Sequence, residues 1–405
     1  MTRAADPNYF RASLGMKEAI APAIAEDYHS ALVDWLRTHD SRLVLPGLTI
    51  RLAKEFGFCY GVDKAVDMAY EARAKFPGRR IFLTYEIIHN PRVNQRLKDM
   101  GIIFLSGALK GDLTLDDITP DDVVLMPAFG VAVDYLETLK AKGCVLVDTT
   151  CGSVVHVWKR VEKYAKDGFT SLVHGKALHA ETIATVSQAQ KLGGQTIVVR
   201  DMKEAQLVCD VIRDSRPTTD VLTLGPLALS KGFDPTQHLS SIGVANQTTM
   251  LASESLAIGA MVREAMAARY GEDNIAAHFR SFDTICSATQ ERQDAISEMI
   301  SDGGLDLMLI VGGYNSSNTG HLLELAQKSI PAFHIADASE IISADEIRHK
   351  PAGKKETVVS KAWLPSKELI VGFTAGASTP NRAIADAIER VVELRGLKID
   401  SLPTG

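Results

Sequence analysis

The stretch "EFGFCYGVDKAV", residues 55–66, decides how this chain is read. Cys59 stands between two aromatics, with Gly57 and Gly61 outside them, after an apolar-alternating run and before a helical pattern. Taken alone, such a cysteine is more often a small buried hydrophobe than a ligand. Two others share its setting: Cys151 in "CVLVDTTCGSVVHVWKRV" and Cys286 in "SFDTICSATQERQDAI". A polar elbow follows each at nearly constant distance: His89 lies 30 residues after Cys59, His179 lies 28 after Cys151, and Ser316 lies 30 after Cys286. Later elbows, "LMPAFGVAVDYL", "VANQTTMLASES" and "GFTAGASTPNRA", complete the pattern. The chain reads as three related α/β domains, each offering one cysteine and two polar strand-to-helix turns.

The wider sequence agrees. Strand-like runs such as "RIFLTYEII", "TSLVHG", "LDLMLIVGG" and "ELIVGFTAG" alternate with helical patterns. That alternation argues an α/β architecture with mostly parallel sheets. The expected organisation is an N-terminal extension over 1–48, α/β domains over 49–148 (Cys59), 149–282 (Cys151) and 283–390 (Cys286), and a C-terminal tail over 391–405. In the extension, Ile20, Ile24, Tyr28, Ala31, Leu32 and Trp35 recur at helical spacing, predicting one amphipathic helix around 16–37. The 405 residues carry a net charge of −6, which argues against a general nucleic-acid binder. Five cysteines scattered over this length are no disulfide framework. No apolar run approaches the ~18 residues of a membrane span, and the N-terminus lacks an apolar signal core. The expectation is a soluble cytoplasmic protein.

In parallel α/β domains, sites form at the carboxyl ends of strands, where helix N-termini present unsatisfied N–H groups and a partial positive charge. A cysteine there is poised as thiolate. Three thiolates brought around a pseudo-threefold axis suit a zinc ion with an open position, or an iron–sulfur cluster with one iron lacking a protein ligand. The separations, 92 and 135 residues, match neither a zinc ribbon nor a ferredoxin, so spacing leaves core packing open beside the metal reading. Cys144 and Cys209 read as core. Ser316, Ser317 and Asn318 in "YNSSNTG", and Ser378 in "AGASTP", suit phosphate oxygens ahead of a helix, with plain capping as the alternative. "HGKALHAET" gathers His174, Lys176, His179 and Glu181. A histidine there can donate to phosphate and a carboxyl can pass a proton; an N-cap with a first-turn Glu is the alternative. No phosphate-loop or dinucleotide fingerprint is present.

Together, "GFCYGVDKAV", "EIIHNPRVNQRL", "DTTC", "HGKALHAET", "ANQTTML", "TICSATQERQDA", "GGYNSSNTGHL" and "TAGASTP" resemble the 4-hydroxy-3-methylbut-2-enyl diphosphate reductases of the non-mevalonate isoprenoid pathway. The resemblance runs from about residue 49 to 390 with the motifs in order, and the "HGK" and "PAFG" forms and the extension resemble the longer cyanobacterial and plant branch. It implies three α/β domains around a central 4Fe–4S cluster held by Cys59, Cys151 and Cys286, with one iron open for the substrate's C4 hydroxyl. It implies diphosphate binding by His89, His179, Ser316, Ser317, Asn318 and Ser378. Glu181 is implied as proton donor, with Thr248 placing the hydroxyl and relaying the proton. Thr289 matches a pocket position. Electrons are implied to come from a ferredoxin or flavodoxin, and the basic segment over 348–368 is either a dock for such an acidic carrier or a solvated insertion. A quinolinate synthase-like dehydratase also has three cysteines but lacks this motif set. A binding protein without a cluster would not need all three cysteines with Glu181 and Thr248.

Two departures stand out. Many members carry a histidine in an S-A-H-G motif where this chain has Phe129 in "PAFG", so one phosphate contact is missing or supplied otherwise, with Lys176 as one candidate. The residue after the second cysteine is usually proline, and here it is Gly152.

Overall fold

In "LMLIV", residues 307–311, all five side chains are buried. Successive strand residues point to opposite faces. Leu307, Leu309 and Val311 enter one apolar core, while Met308 and Ile310 enter another. A strand buried on both faces is the mark of a parallel sheet covered by helices on each side. The structure is a computed structural model that describes residues 7–282 and 284–399. Residues 1–6 of the extension, 400–405 of the tail, and Asp283, the first residue of the expected third domain, lie outside the described residues. By compactness the chain forms two units, Met1–Arg11 with Asp116–Cys286, and Ala12–Leu115 with Ser287–Gly405.

The first unit carries a four-stranded parallel sheet in the order Phe279–Ser281, Ile242–Asn246, Thr170–His174, Thr196–Val199. Leu172, Ile197 and Val244 face the helices Met202–Ile212 and Ala252–Tyr270. Ala245 faces the helix Gly152–Lys166 through Val157, Val161 and Tyr164. The strands Val123–Met126 and Val145–Asp148 also pair in parallel, and Tyr9–Phe10 adds to Val145–Asp148.

The second unit carries a sheet in the order Ala332–Ile335, Leu307–Val311, Leu369–Ala375, Leu48–Leu52, Arg42–Leu45, parallel except for the last pair. The helices Ala31–Thr38 and Asn381–Leu394 cover one face; Ser287–Ser301 and Ser317–Ala326 cover the other. The strand ahead of Cys59, Leu48–Leu52, therefore pairs with Leu369–Ala375, far along the chain. Its half-buried alternation, with Leu48, Ile50 and Leu52 inward, fits it to that face. Ile81–Leu83 and Ile102–Phe104 form a further parallel pair, and Glu346–His349 with Val358–Lys361 an antiparallel hairpin.

The single helix expected around 16–37 is two, Lys17–Tyr28 and Ala31–Thr38. Ser30 turns to an extended backbone and its hydroxyl accepts from Val33 N–H at 3.3 Å, an N-cap that starts a new helix. The extension is anchored. Glu71, on the helix Tyr60–Lys75 that follows Cys59, accepts from Leu14 N–H and Ser13 Oγ, both at 2.6 Å. Asp27 accepts from Tyr70 Oη and Arg96 Nε at 2.6 and 2.8 Å.

Candidate active site

The first unit brings the expected proton donor and its partner together. Glu181 is the second residue of the helix Ala180–Gln190, and it is 2% exposed. Thr248 lies on the elbow after Ile242–Asn246. Its N–H reaches one Glu181 oxygen at 2.6 Å and its hydroxyl the other at 2.9 Å. Burial pushes the Glu181 carboxyl from 4.5 up to about 7, against the pull of the two Thr248 bonds. The carbonyl of the same Thr248 accepts the Cys286 N–H at 3.4 Å. His179 caps the Glu181 helix, its Nδ1 accepting from Glu181 N–H at 3.2 Å. Acceptance at Nδ1 leaves the neutral ring's proton on Nε2, where it is a donor. Phe129 meets the His179 ring edge-on at 6.3 Å between centroids. Lys176 bonds Gln247 Oε1 through its main-chain N–H, and the residue is exposed. Cys151 is the N-cap of Gly152–Lys166, half-buried, with its N–H on Ala128 O at 2.7 Å.

The second unit gathers most of the residues expected to bind phosphate. "HNP" encodes the first piece: Asn90 Oδ1 caps Val93 N–H at 3.1 Å and Pro91 opens the helix Pro91–Asp99. His89 just ahead has its Nδ1 2.9 Å from Glu86 Oε2, a carboxylate that orients the ring. The His89 carbonyl accepts from Ser378 Oγ at 3.2 Å. A Cβ at Gly313 would lie 2.3 Å from that carbonyl, so only glycine allows this approach. Ser316 caps the helix Ser317–Ala326, accepting from Thr319 N–H at 3.3 Å. Asn318 is 2% exposed and accepts the Ala377 N–H at 3.0 Å; its Nδ2 is buried with no hydrogen-bond partner among the described residues. A buried spare donor is costly, and its cost is removed when an acceptor arrives. The structure thus brings His89, Ser316, Ser317, Asn318 and Ser378 onto three neighbouring elbows. Buried His334 bonds the Gly312 carbonyl through Nε2 at 2.8 Å and steadies the same loop; burial lowers its pKa to about 4.

Cys59 belongs to this unit. It precedes Tyr60–Lys75 as a half-buried N-cap residue, and its N–H bonds the Ala377 carbonyl at 3.2 Å. Thr289 is wholly buried on Ser287–Ser301. None of the five cysteines is in a disulfide. Cys144 and Cys209 are buried as expected, and burial holds the Cys209 thiol up at about 12. Among the described residues, no group of three or more His, Cys, Asp and Glu side chains is gathered closely enough to hold a metal ion. Each of Cys59, Cys151 and Cys286 still fits a cluster ligand by its own surroundings. Each thiol is half-buried, stands immediately before a helix of 15 or 16 residues, and has its N–H fixed by a carbonyl.

The family model for "LytB protein" matches residues 50–392. The chain belongs to the LytB protein family. The LytB match includes every residue singled out above as a candidate ligand, binder or acid. The 4-hydroxy-3-methylbut-2-enyl diphosphate reductase of Gloeobacter violaceus is 46% identical over 394 residues, covering 96% of this chain and 93% of that protein. That of Trichodesmium erythraeum is 44% identical over 389 residues, covering 96% and 95%. With these relatives the chain is an oxidoreductase, and their coverage takes in most of the extension that the LytB model leaves out. A solved (E)-4-hydroxy-3-methyl-but-2-enyl diphosphate reductase superposes with a TM-score of 0.52 at 25% identity, covering 85% of this chain and 99% of that one. The Plasmodium falciparum structure, at 21% identity and TM-score 0.61, covers 84% and 86% and shares the fold.

Glu86 and the buried Arg292 were not singled out from sequence. Glu86 stands three residues before His89 in "EIIHNP", and Arg292 three after Thr289 in "TQERQ". No local pattern distinguishes either from a surface charge.

Proposed function

We propose that this chain reduces (E)-4-hydroxy-3-methylbut-2-enyl diphosphate to isopentenyl and dimethylallyl diphosphate. The single observation that carries the chemistry is Glu181: buried, bonded by Thr248 at both oxygens, and held near neutrality. The reaction takes in two electrons and two protons. The bond from C4 to oxygen breaks, water leaves, and a C–H bond forms at one end or the other of the allyl fragment. A hydroxyl is a poor leaving group until it is protonated, and a carboxyl that titrates about pH 7 is a well-matched acid for that step. Glu181 gives the proton. Thr248, hydroxyl against the carboxyl, positions the substrate hydroxyl and relays.

His89, His179, Ser316, Ser317, Asn318 and Ser378 bind the diphosphate. What supports this is the spare Asn318 Nδ2, the histidine donor at His179, and the helix N-terminus after Ser316. The diphosphate does not react; holding it orients the allyl alcohol for the reaction. Cys59, Cys151 and Cys286 would hold a 4Fe–4S cluster. Such a cluster, with one iron open, supplies the Lewis acid for the hydroxyl and the path for single electrons. A ferredoxin or flavodoxin would deliver those electrons.

The test is anaerobic purification or reconstitution, iron and sulfide analysis, and turnover of the allylic diphosphate with a reduced viologen. Four irons per chain and formation of both products are expected. Protein that binds no iron removes the cluster; iron-loaded protein that never consumes the diphosphate removes the substrate.

A further inference from the structure

We propose that Arg292 is a positioning residue that clamps the peptide leading into Cys59 and places a fixed positive charge beside that ligand. Arg292 is 3% exposed on the helix Ser287–Ser301. Its Nη2 donates to Gly57 O at 2.8 Å and to Phe58 O at 3.3 Å, its Nε to Gly57 O at 3.3 Å, and its Nη1 to Ala288 O at 2.8 Å. These are main-chain carbonyls. Burying a guanidinium on them is expensive, and an apolar side chain of similar size would pack there at less cost. The arrangement is explained by what it holds.

The Phe58–Cys59 peptide is gripped at both ends. Its carbonyl accepts from Arg292, and its N–H donates to Ala377 O at 3.2 Å. Gly57, at φ +75°, is bent so that its own carbonyl reaches the same guanidinium. A Cβ at Gly57 would lie 3.0 Å from Asn381 Oδ1 and 3.3 Å from Thr379 O, so a side chain there would crowd its neighbours as well as strain the backbone. The chain of contacts continues. Ala377 donates its own N–H to Asn318 Oδ1 at 3.0 Å, and Asn318 carries the spare donor of the proposed diphosphate site. One guanidinium, one peptide and one amide thus join the Cys59 elbow to the diphosphate elbow within the second unit.

Two consequences follow. The planar group brackets Gly57 O with Nε and Nη2 while Nη1 stays on Ala288 O, a set of directions that a lysine ammonium cannot reproduce. The charge, set one peptide from Cys59, favours electron density on that ligand and so raises the reduction potential of whatever iron centre Cys59 helps to hold. The second consequence rests on the proposed cluster; the first does not.

The experiment compares the full-length wild type with Arg292→Lys and Arg292→Met. Amide exchange at residues 58–60 is measured in cluster-free protein, and reduction potential by electron paramagnetic resonance titration in reconstituted protein. Exchange is expected to be at least about tenfold faster in both variants, because neither can bracket the Gly57 carbonyl while staying on Ala288 O. The potential is expected to fall in Arg292→Met and to stay near wild type in Arg292→Lys, which keeps the charge. Unchanged exchange in both variants overturns the clamp. An unchanged potential in Arg292→Met overturns the charge role. Should Arg292→Met not fold, a potential in Arg292→Lys well below wild type does the same. Wild type that takes up no iron defeats the cluster reading, while the exchange arm still decides the clamp.

Discussion

The Glu181 group and the Asn318 group are both polar, both buried, and both stand where strands give way to helices, yet their accounts balance oppositely. At Glu181 both acceptor oxygens are engaged by Thr248, and what burial resists is the charge. At Asn318 the acceptor is engaged by Ala377, and what burial leaves over is a neutral donor. A carboxyl whose ionised form is penalised gives up or takes a proton near neutral pH. A spare amide N–H calls for an acceptor from outside. The same physical circumstance, a polar group removed from water, therefore suits the proposed acid in one unit and the proposed anion binding in the other.

Breaking the acid should have the largest effect. Glu181→Gln keeps the shape and one acceptor, so iron content should match wild type while turnover falls by roughly 10²–10⁴, the usual worth of a general acid. Near-normal turnover would take Glu181 out of its role. The working form is the protonated one, so wild-type turnover should decline as pH rises through about 7. The same group leaves a mark on stability. Its folded pKa is raised above the ordinary 4.5, so its contribution is full below about 4.5 and is lost as pH rises through about 7. In cluster-free protein, chemical denaturation should show the wild type losing about 3 kcal/mol relative to Glu181→Gln across that window. A difference that does not vary with pH would mean that burial does not hold the carboxyl neutral.

The proposed anion binding is tested by reversing the spare Asn318 atom. Asn318→Asp keeps an oxygen for Ala377 N–H but replaces the buried donor with an acceptor. Hydrogen bonds to charged groups are worth about 1.5–3 kcal/mol, so kcat/KM should drop roughly 10–100-fold, carried mainly by KM because the diphosphate does not react. A fall confined to kcat would move Asn318 from binding to chemistry and erase the contrast with Glu181.

Sequence made the elbows legible because they are local. A strand-like run, a Ser, Asn, His or Cys, and a helical run lie within a dozen residues, and each such turn in the structure stands where the pattern put it. In "YNSSN" the capping alternative was open from sequence, and Ser316 does cap its helix. What stayed hidden was long-range or a matter of phase. Nothing near Leu48–Leu52 says that its partner is Leu369–Ala375, and nothing near Arg292 says that it reaches Gly57. The break at Ser30 was masked because Tyr28 and Ala31 sit three apart, so the apolar stripe keeps its helical phase across it. The spare Asn318 donor is a property of neighbours: Ser316–Asn318 read alike as caps or phosphate binders until Ala377 is seen to occupy only one side of the amide.

The smallest effect concerns how firmly the two cysteine elbows are built. At Cys59 the Gly57 position is crowded and Arg292 grips the peptide. At Cys151 the following residue, Gly152, is under no such crowding: a Cβ there would meet nothing within 4 Å. Cys151 itself has φ −63° and ψ 142°, the extended geometry that a following proline requires, and Gly152 occupies the first helical position, where proline is favoured. Gly152→Pro should therefore stabilise the chain by about 0.4–1 kcal/mol through the unfolded state, read as a small rise in the thermal midpoint. A lowered midpoint would show that the Gly152 N–H or its added freedom is in use, and that the Cys151 elbow is as constrained as the one at Cys59.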